Sequence, residues 1–303
     1  MADDLTFDTR PPGKSGECVR VSPFVRRVVA DNAGPITFTG TCSYIVGTGR
    51  VAIIDPGPES PEHIDALLQA VRNETVTHVL VTHTHRDHSP AARAIKEATG
   101  AEIVGCSPHR SARPLFEGEV NMLETSSDRD YAPDRELIEG ERIEGPGWSL
   151  EAVATPGHMA NHLAFALPEE KALFSGDHVM AWSTTVVAPP DGSMGAFMAS
   201  LDKLRGREET VYWPGHGGPV QDPQRFIRAL IHHRRQREVS ILNRLAAGDR
   251  TIPAIVAAIY QGLKPGLVGA AGLSVFAHLE DLVARGQVAT EGIPSLDGEY
   301  RLA

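Results

Sequence analysis

His83, His85, Asp87 and His88 fall within six residues of one another, directly after the apolar run 76–81. Imidazole nitrogens and carboxylate oxygens both suit a divalent metal such as zinc. In an HxHxDH turn, His83 and His85 can point one way while Asp87 and His88 reach a neighbouring position, so one loop can feed two adjacent ions. A solvated polar loop has no need of that combination.

Further donors follow at the ends of apolar runs: His158 in Thr155-Pro156-Gly157-His158, Asp177 in Ser175-Gly176-Asp177, and His216 in Pro214-Gly215-His216-Gly217. Each stands after a glycine that lets the backbone turn tightly. Asp55, before Pro56 and Gly57, is either a turn residue or an outer acceptor that orients a metal-bound histidine. Two ions sharing a water would lower its pKa toward neutrality and polarise the bond under attack, which makes a protein nucleophile unnecessary. The chain has no GxSxG, no convincing Cys/His pair, and in Gly47-Thr48-Gly49 only a fragment of a nucleotide-binding loop.

In their order along the chain, AIIDPGP (52–58), VTHTHRDHSPA (81–91), TPGH (155–158), SGD (175–177) and PGHG (214–217) resemble the metallo-β-lactamase superfamily over about residues 20–240. The resemblance implies a four-layer αββα sandwich. It also implies two zinc ions per chain, with iron or manganese as alternatives. His83, His85 and His158 would hold one ion, Asp87, His88 and His216 the second, and Asp177 would bridge them, with Asp55 in support. A bridging hydroxide would attack a carbonyl or phosphoryl centre while Asp87 orients it. Within the superfamily, SGDHVMAWSTTVVAPPDGSMGAFMASLDKL (175–204), PGHGGPV (214–220) and HHRRQREVSILNRL (232–245) are similar to the β-lactamase-like protein 2 group, which joins this fold to a winged-helix tail.

That likeness implies hydrolysis of an ester, thioester, lactone or phosphodiester, single-stranded RNA being a substrate of some members. Ser89-Pro90-Ala91 stands where glyoxalase II enzymes carry glycine-containing runs, a departure from that thioester-cleaving branch. Two other classes compete. A persulfide dioxygenase of similar scaffold would hold one iron through His83, His158 and Asp177, and a nucleic-acid-binding regulator would use the tail and leave the metal site vestigial. Thr184 and Thr185 are candidates for substrate contact, and His162 and His178, adjacent to ligands, for support.

Placing these donors requires regular elements. Residues 41–58 read as two strands joined at Gly47-Thr48-Gly49. Ile64, Leu67, Leu68 and Val71 have the spacing of an amphipathic helix over 61–72, followed by a strand at 76–81, a helix at 90–99 ended by Gly100, and a strand at 102–106. The polar stretch 107–140 reads as an extended loop or lid. Short β-runs at 150–154, 162–167, 172–175 and 211–213 each adjoin a candidate ligand. Helical stretches at 223–247, 252–261 and 271–285, then β-like pieces at 287–290 and 299–302, suggest a winged-helix-like module. The expected domains are 1–240 for catalysis and 241–303 for the module.

Composition narrows the function classes. With 41% hydrophobic and 22% charged residues, the chain is globular in character. A net charge of −10 disfavours a broad nucleic-acid footprint. Arg225, Arg228, Arg234, Arg235, Arg237 and Arg244 nevertheless face only Asp222 and Glu238, either a strip steering phosphates toward His216 or a solvated helix face. The segment 274–285 carries Glu280 and Asp281 with one basic residue, which disfavours duplex DNA and favours packing or a homo-oligomer contact. Cys18, Cys42 and Cys106 are too few and scattered for a disulfide framework. No apolar run approaches the roughly 18–20 residues of a membrane span, and the polar, acidic start points to the cytoplasm, with no membrane partner.

Overall fold

The computed structural model describes residues 5–263 and 265–303. Its first sheet has seven strands in chain order: β1 (Val19–Arg20), β2 (Val25–Val29), β3 (Cys42–Thr48), β4 (Arg50–Ile54), β5 (Thr75–Val81), β6 (Glu102–Gly105) and β7 (Arg135–Glu136). Strands β1 to β4 pair antiparallel, and β4 to β7 pair parallel. The parallel pairs need crossovers, which α1 (Pro61–Ala70) provides for β4–β5, α2 (Ala91–Thr99) for β5–β6 and the stretch 106–134 for β6–β7. Pro61 opens α1 and Ser60 Oγ accepts the His63 N–H at 3.4 Å, while α2 stops where Gly100 turns left-handed at φ 75°.

The second sheet runs in the order β12-β11-β10-β9-β8, from β8 (Arg142–Gly145), β9 (Trp148–Ala154), β10 (Leu163–Leu167), β11 (Ala172–Gly176) and β12 (Val211–Pro214). Alternation along β10 decides the layering. Leu163, Phe165 and Leu167 enter the core between the sheets, with Ile45, Ile53, Val79 and Trp148. Ala164 and Ala166 face the other way, onto Phe197 and Leu201 of α3 (Met194–Leu204) and Ile227 and Leu230 of α4 (Pro223–Ala246). Helices, sheet, sheet and helices give the four-layer αββα sandwich.

A third core forms the C-terminal module, where Ile255 of α5 (Ile252–Ile259) and Val275, Phe276 and Leu279 of α6 (Val268–Ala284) pack with Val288 of β13 (Val288–Thr290) and Tyr300 of β14 (Tyr300–Leu302). Helix α4 contributes Ile227 and Leu230 to the second core but Ile241 and Leu245 to the third. A boundary at 240/241 therefore falls inside one continuous helix, which couples the module to the sandwich. Arg234 of that helix, 3% exposed, donates to the Thr185 carbonyl and to Ser274 Oγ of α6 and lies over the Phe197 ring.

Two sequence expectations need revision here. Residues 265–284 are long and apolar enough to cross a bilayer by length and composition. Val275, Phe276, Leu279 and Leu282 of this segment fill the third core, and Glu280 and Asp281 interrupt its apolar run. The stretch 107–140 is also more structured than a loop. It contains a 3-10 turn at Glu124–Ser126 and strand β7, and Arg113 pins it to the module by bridging Glu119 and Glu280.

Candidate metal centre

All the proposed ligands issue from strand ends at one edge of the sandwich. The turn after β5 carries His83, His85, Asp87 and His88, while His158 follows β9, Asp177 follows β11 and His216 follows β12. His85 Nδ1 lies 3.1 Å from His83 Nε2 and 3.0 Å from His158 Nε2. With Asp177 these three histidines form one cluster able to hold an ion. Asp87, His88 and His216 form the second, with His216 Nε2 3.1 Å from Asp87 Oδ2 and 3.4 Å from His88 Nε2. Asp177 stands between them, Oδ2 3.8 Å from His158 Nε2 and 3.3 Å from His216 Nε2, and Oδ1 3.5 Å from His88 Nε2.

The far nitrogens of four histidines are occupied, which turns their other nitrogens inward. His88 donates from Nδ1 to Asp55 Oδ2 at 3.0 Å. Thr82 Oγ1 donates to the same Asp55 oxygen at 2.8 Å and accepts the Nδ1 proton of His83 at 2.9 Å, so one carboxylate orients two rings. His158 donates to the Val186 carbonyl at 2.7 Å and His216 to the Gly40 carbonyl at 3.3 Å. Such outer acceptors fix the tautomer of a metal-binding histidine. Thr41 Oγ1 donates to Asp87 Oδ2 at 3.2 Å and is itself held by Asn32. His162, anchored on Thr155, accepts the Asp177 backbone N–H at 3.2 Å.

The pocket between the clusters fits cations. Asp177 Oδ1 is buried without a hydrogen-bond partner, a costly condition that a metal bond relieves. A Cβ at Gly215 would stand 2.4 Å from that oxygen and 2.6 Å from His88 Cε1, so Gly215 serves close approach and does not need a positive φ. Gly157 and Gly176 do adopt positive φ, 144° and 49°.

Electrostatics divide the two clusters. Burial, reinforced by neighbouring histidines, holds His83 well below the ordinary imidazole range and takes His85 down to about 3, leaving neutral rings with free lone pairs. At His216 burial pushes down, but Asp177 and Asp87 outweigh it and lift the ring to about 10. His88 is likewise raised against burial by Asp87, Asp177 and Asp55. Without metal, protons on these rings neutralise the carboxylates, and metal binding must displace them.

Other sequence candidates have different tasks. Thr185, 2% exposed, donates to the Asp177 carbonyl at 2.7 Å and the His178 carbonyl at 3.1 Å, so it shapes the ligand loop. Thr184 does not line the cavity over the clusters. His178 is buried with both ring nitrogens unpartnered, beside Phe197. None of the six arginines of α4 lines that cavity: Arg234 is buried, Arg237 stacks on Tyr260 at 4.0 Å, and Arg244 pairs with Asp249. Cys42 and Cys106 are buried free thiols, Cys42 raised to about 11 by burial, and neither is a ligand. Sequence reasoning missed Thr82, although it opens the ligand turn, and the Gly40 and Val186 carbonyls, which no side chain could have announced.

Residues 36–216, which contain every ligand of both clusters, match the metallo-beta-lactamase superfamily. The chain belongs to that superfamily. Residues 251–295 match the beta-lactamase associated winged helix domain. Among metallo-beta-lactamase relatives, an atrochrysone carboxyl ACP thioesterase from Aspergillus terreus is 32% identical over 250 residues, 82% of this chain and 70% of that protein. A beta-lactamase-like protein 2 homolog from Caenorhabditis elegans is 31% identical, covering 74% and 71% of the two chains. Two solved structures share the fold. A metallo-beta-lactamase family protein from Thermus thermophilus has a TM-score of 0.74 at 24% identity, covering 94% and 100% of the two chains. A beta-lactamase domain protein from Burkholderia ambifaria has a TM-score of 0.79 at 20% identity, covering 99% and 97%. The superfamily fold implies a dinuclear metal site, and the two His/Asp clusters are its counterpart here.

Proposed function

We propose that this metallo-beta-lactamase superfamily hydrolase cleaves a carboxylic thioester with an apolar acyl group, using two zinc ions. One observation carries the reading. His85, Asp87, His158 and Asp177 form the floor of a single cavity of about 700 Å³ whose walls are mainly apolar, with Arg86 the one cation among the described lining residues. A polyanion would need several phosphates neutralised there. The name of the Aspergillus terreus relative, a thioesterase, points the same way.

Two bound divalent ions would supply Lewis acidity and lower the pKa of water. The chain's own residues do the rest. His83, His85 and His158, held neutral by burial, offer lone pairs; Thr82, itself bonded to Asp55, aims the His83 ring and the Val186 carbonyl aims His158. Asp87 lines the cavity with Oδ2 3.1 Å from His216 Nε2 and held by Thr41, so its carboxylate can orient the attacking water. The apolar walls exclude bulk water from the acyl group, and Arg86, exposed at the rim, can pair with an anionic carrier on the thiol side. Water adds to the carbonyl, the C–S bond breaks, and the thiolate leaves with a proton.

The test is a panel of acyl thioesters, lactones, bis-para-nitrophenyl phosphate and single-stranded RNA, assayed with protein whose metals are quantified. The reading expects the highest kcat/KM on the thioesters and background activity from a folded His85→Ala variant. Preferred cleavage of RNA or the phosphodiester would replace it, as would a single iron per chain.

A further inference from the structure

The wall of the cavity opposite the metal clusters comes from the C-terminal module. Ile252 and Pro253 open α5, Leu267 immediately precedes α6, Ala270 and Leu273 lie in its first turns, and Leu296 comes from the connection between β13 and β14. The lid stretch adds Met122 and Leu123 from the side, and Arg113 ties that stretch to Glu280 of α6. In the segment 274–285, Ser274 to Leu279 and Leu282 are buried within the protein. What the module exposes toward the metals is its apolar, small-residue start.

That start is shaped for space. Gly266, Gly269, Ala270 and Gly272 all line the cavity. A Cβ added at Gly266 or Gly269 would meet nothing within 4 Å, and one at Gly272 would meet only the Ile252 methyl at 3.8 Å. None of these glycines has a positive φ, so backbone geometry does not require glycine there. Glycine in a helix is unfavourable unless something uses the room. The apolar side chains Ile36 and Met122 are 54% and 62% exposed where they line the same cavity, a condition that an apolar ligand would relieve.

We infer that the winged-helix module is the acyl-binding wall of the enzyme, and that Gly269 and Ala270 set the size of the apolar acyl group it accepts. This deepens the thioesterase reading and rests on it for the chemistry, but not for the binding. A cavity of about 700 Å³ lies within the roughly 300–1,000 Å³ that encloses a drug-sized ligand, so the group is a medium-length or ring-containing acyl chain and not acetyl. The module thereby acts as a specificity element within the active site.

Gly269→Leu and Ala270→Leu fill the wall with a residue that favours helix, so at least one variant should fold as the parent does. The full-length proteins are titrated with decanoate and with propionate by calorimetry, then assayed on decanoyl- and acetyl-coenzyme A. The inference expects decanoate to bind at least about tenfold more weakly to a folded variant, with kcat/KM for the decanoyl ester lowered in step and by more than that for the acetyl ester. Equal decanoate binding by the parent and both folded variants overturns it. Weakened decanoate binding with no thioester cleaved by any of the proteins supports the wall and instead overturns the thioesterase reading.

Discussion

Asp55 accepts the Nδ1 proton of His88 at 3.0 Å, and its own backbone is left-handed, at φ 49°. A non-glycine residue in that region is uncommon, and aspartate tolerates it better than most. The same carboxylate takes the Thr82 N–H at 2.8 Å, which fixes the first residue of the ligand turn to the end of β4. A turn residue in the sequence is thus an organiser of the metal centre.

Replacing Asp55 by Ala should weaken metal binding by about 10–100-fold, because His88 loses its orienting acceptor and Thr82 can no longer relay to His83. Competition between the protein and a chelator measures this directly. Unchanged affinity in a folded variant would reduce Asp55 to a turn residue.

Thr184 and Thr185 should separate cleanly. Thr185→Val removes the donor to the Asp177 and His178 carbonyls, so kcat should fall while KM for substrate holds. Thr184→Val, outside the cavity lining, should change neither. A raised KM for Thr184→Val would restore it as a substrate contact.

Much of the centre is legible in the sequence because its donors sit in short motifs at the ends of apolar runs. The expected helix at 61–72 is α1 at Pro61–Ala70, and the stretch 223–247 is α4 at Pro223–Ala246. The arginines of α4 mislead because composition ignores direction. At 100° per residue, Arg234 points into the protein beside Thr185 while its neighbour Arg235 points to solvent. Helix α6 starts at Val268, three residues before the expected 271, since Gly269 and Gly272 lower its helical signal. Those same glycines form part of the cavity wall, a role that only the packing of the module against the sandwich reveals.

Acid should destabilise the fold through histidines that belong to neither metal cluster. Burial takes His63 and His233 to about 4 and His278 to about 3, with nearby arginines adding to the effect at the last two. Their unfolded value is near 6.5, so between pH 6.5 and about 4 the unfolded chain binds more protons. Stability contributed by these neutral rings is therefore present above pH 6.5 and lost as pH falls through that window. His278, whose ring nitrogens lack partners, gives the control: His278→Phe should flatten the decline of ΔG with pH by up to ~1.4 kcal/mol per unit. Chemical denaturation at several pH values reads the slope, and an identical slope would assign the acid sensitivity elsewhere.

Two metals acting together on an acyl thioester make its hydrolysis depend on metal loading. Protein stripped of metal is given zinc in steps while hydrolysis of an apolar acyl thioester is followed. Activity should rise with loading and saturate at two equivalents per chain, in keeping with the paired clusters His83/His85/His158/Asp177 and Asp87/His88/His216. Saturation at one equivalent, or no thioester cleavage at any loading, would contradict it.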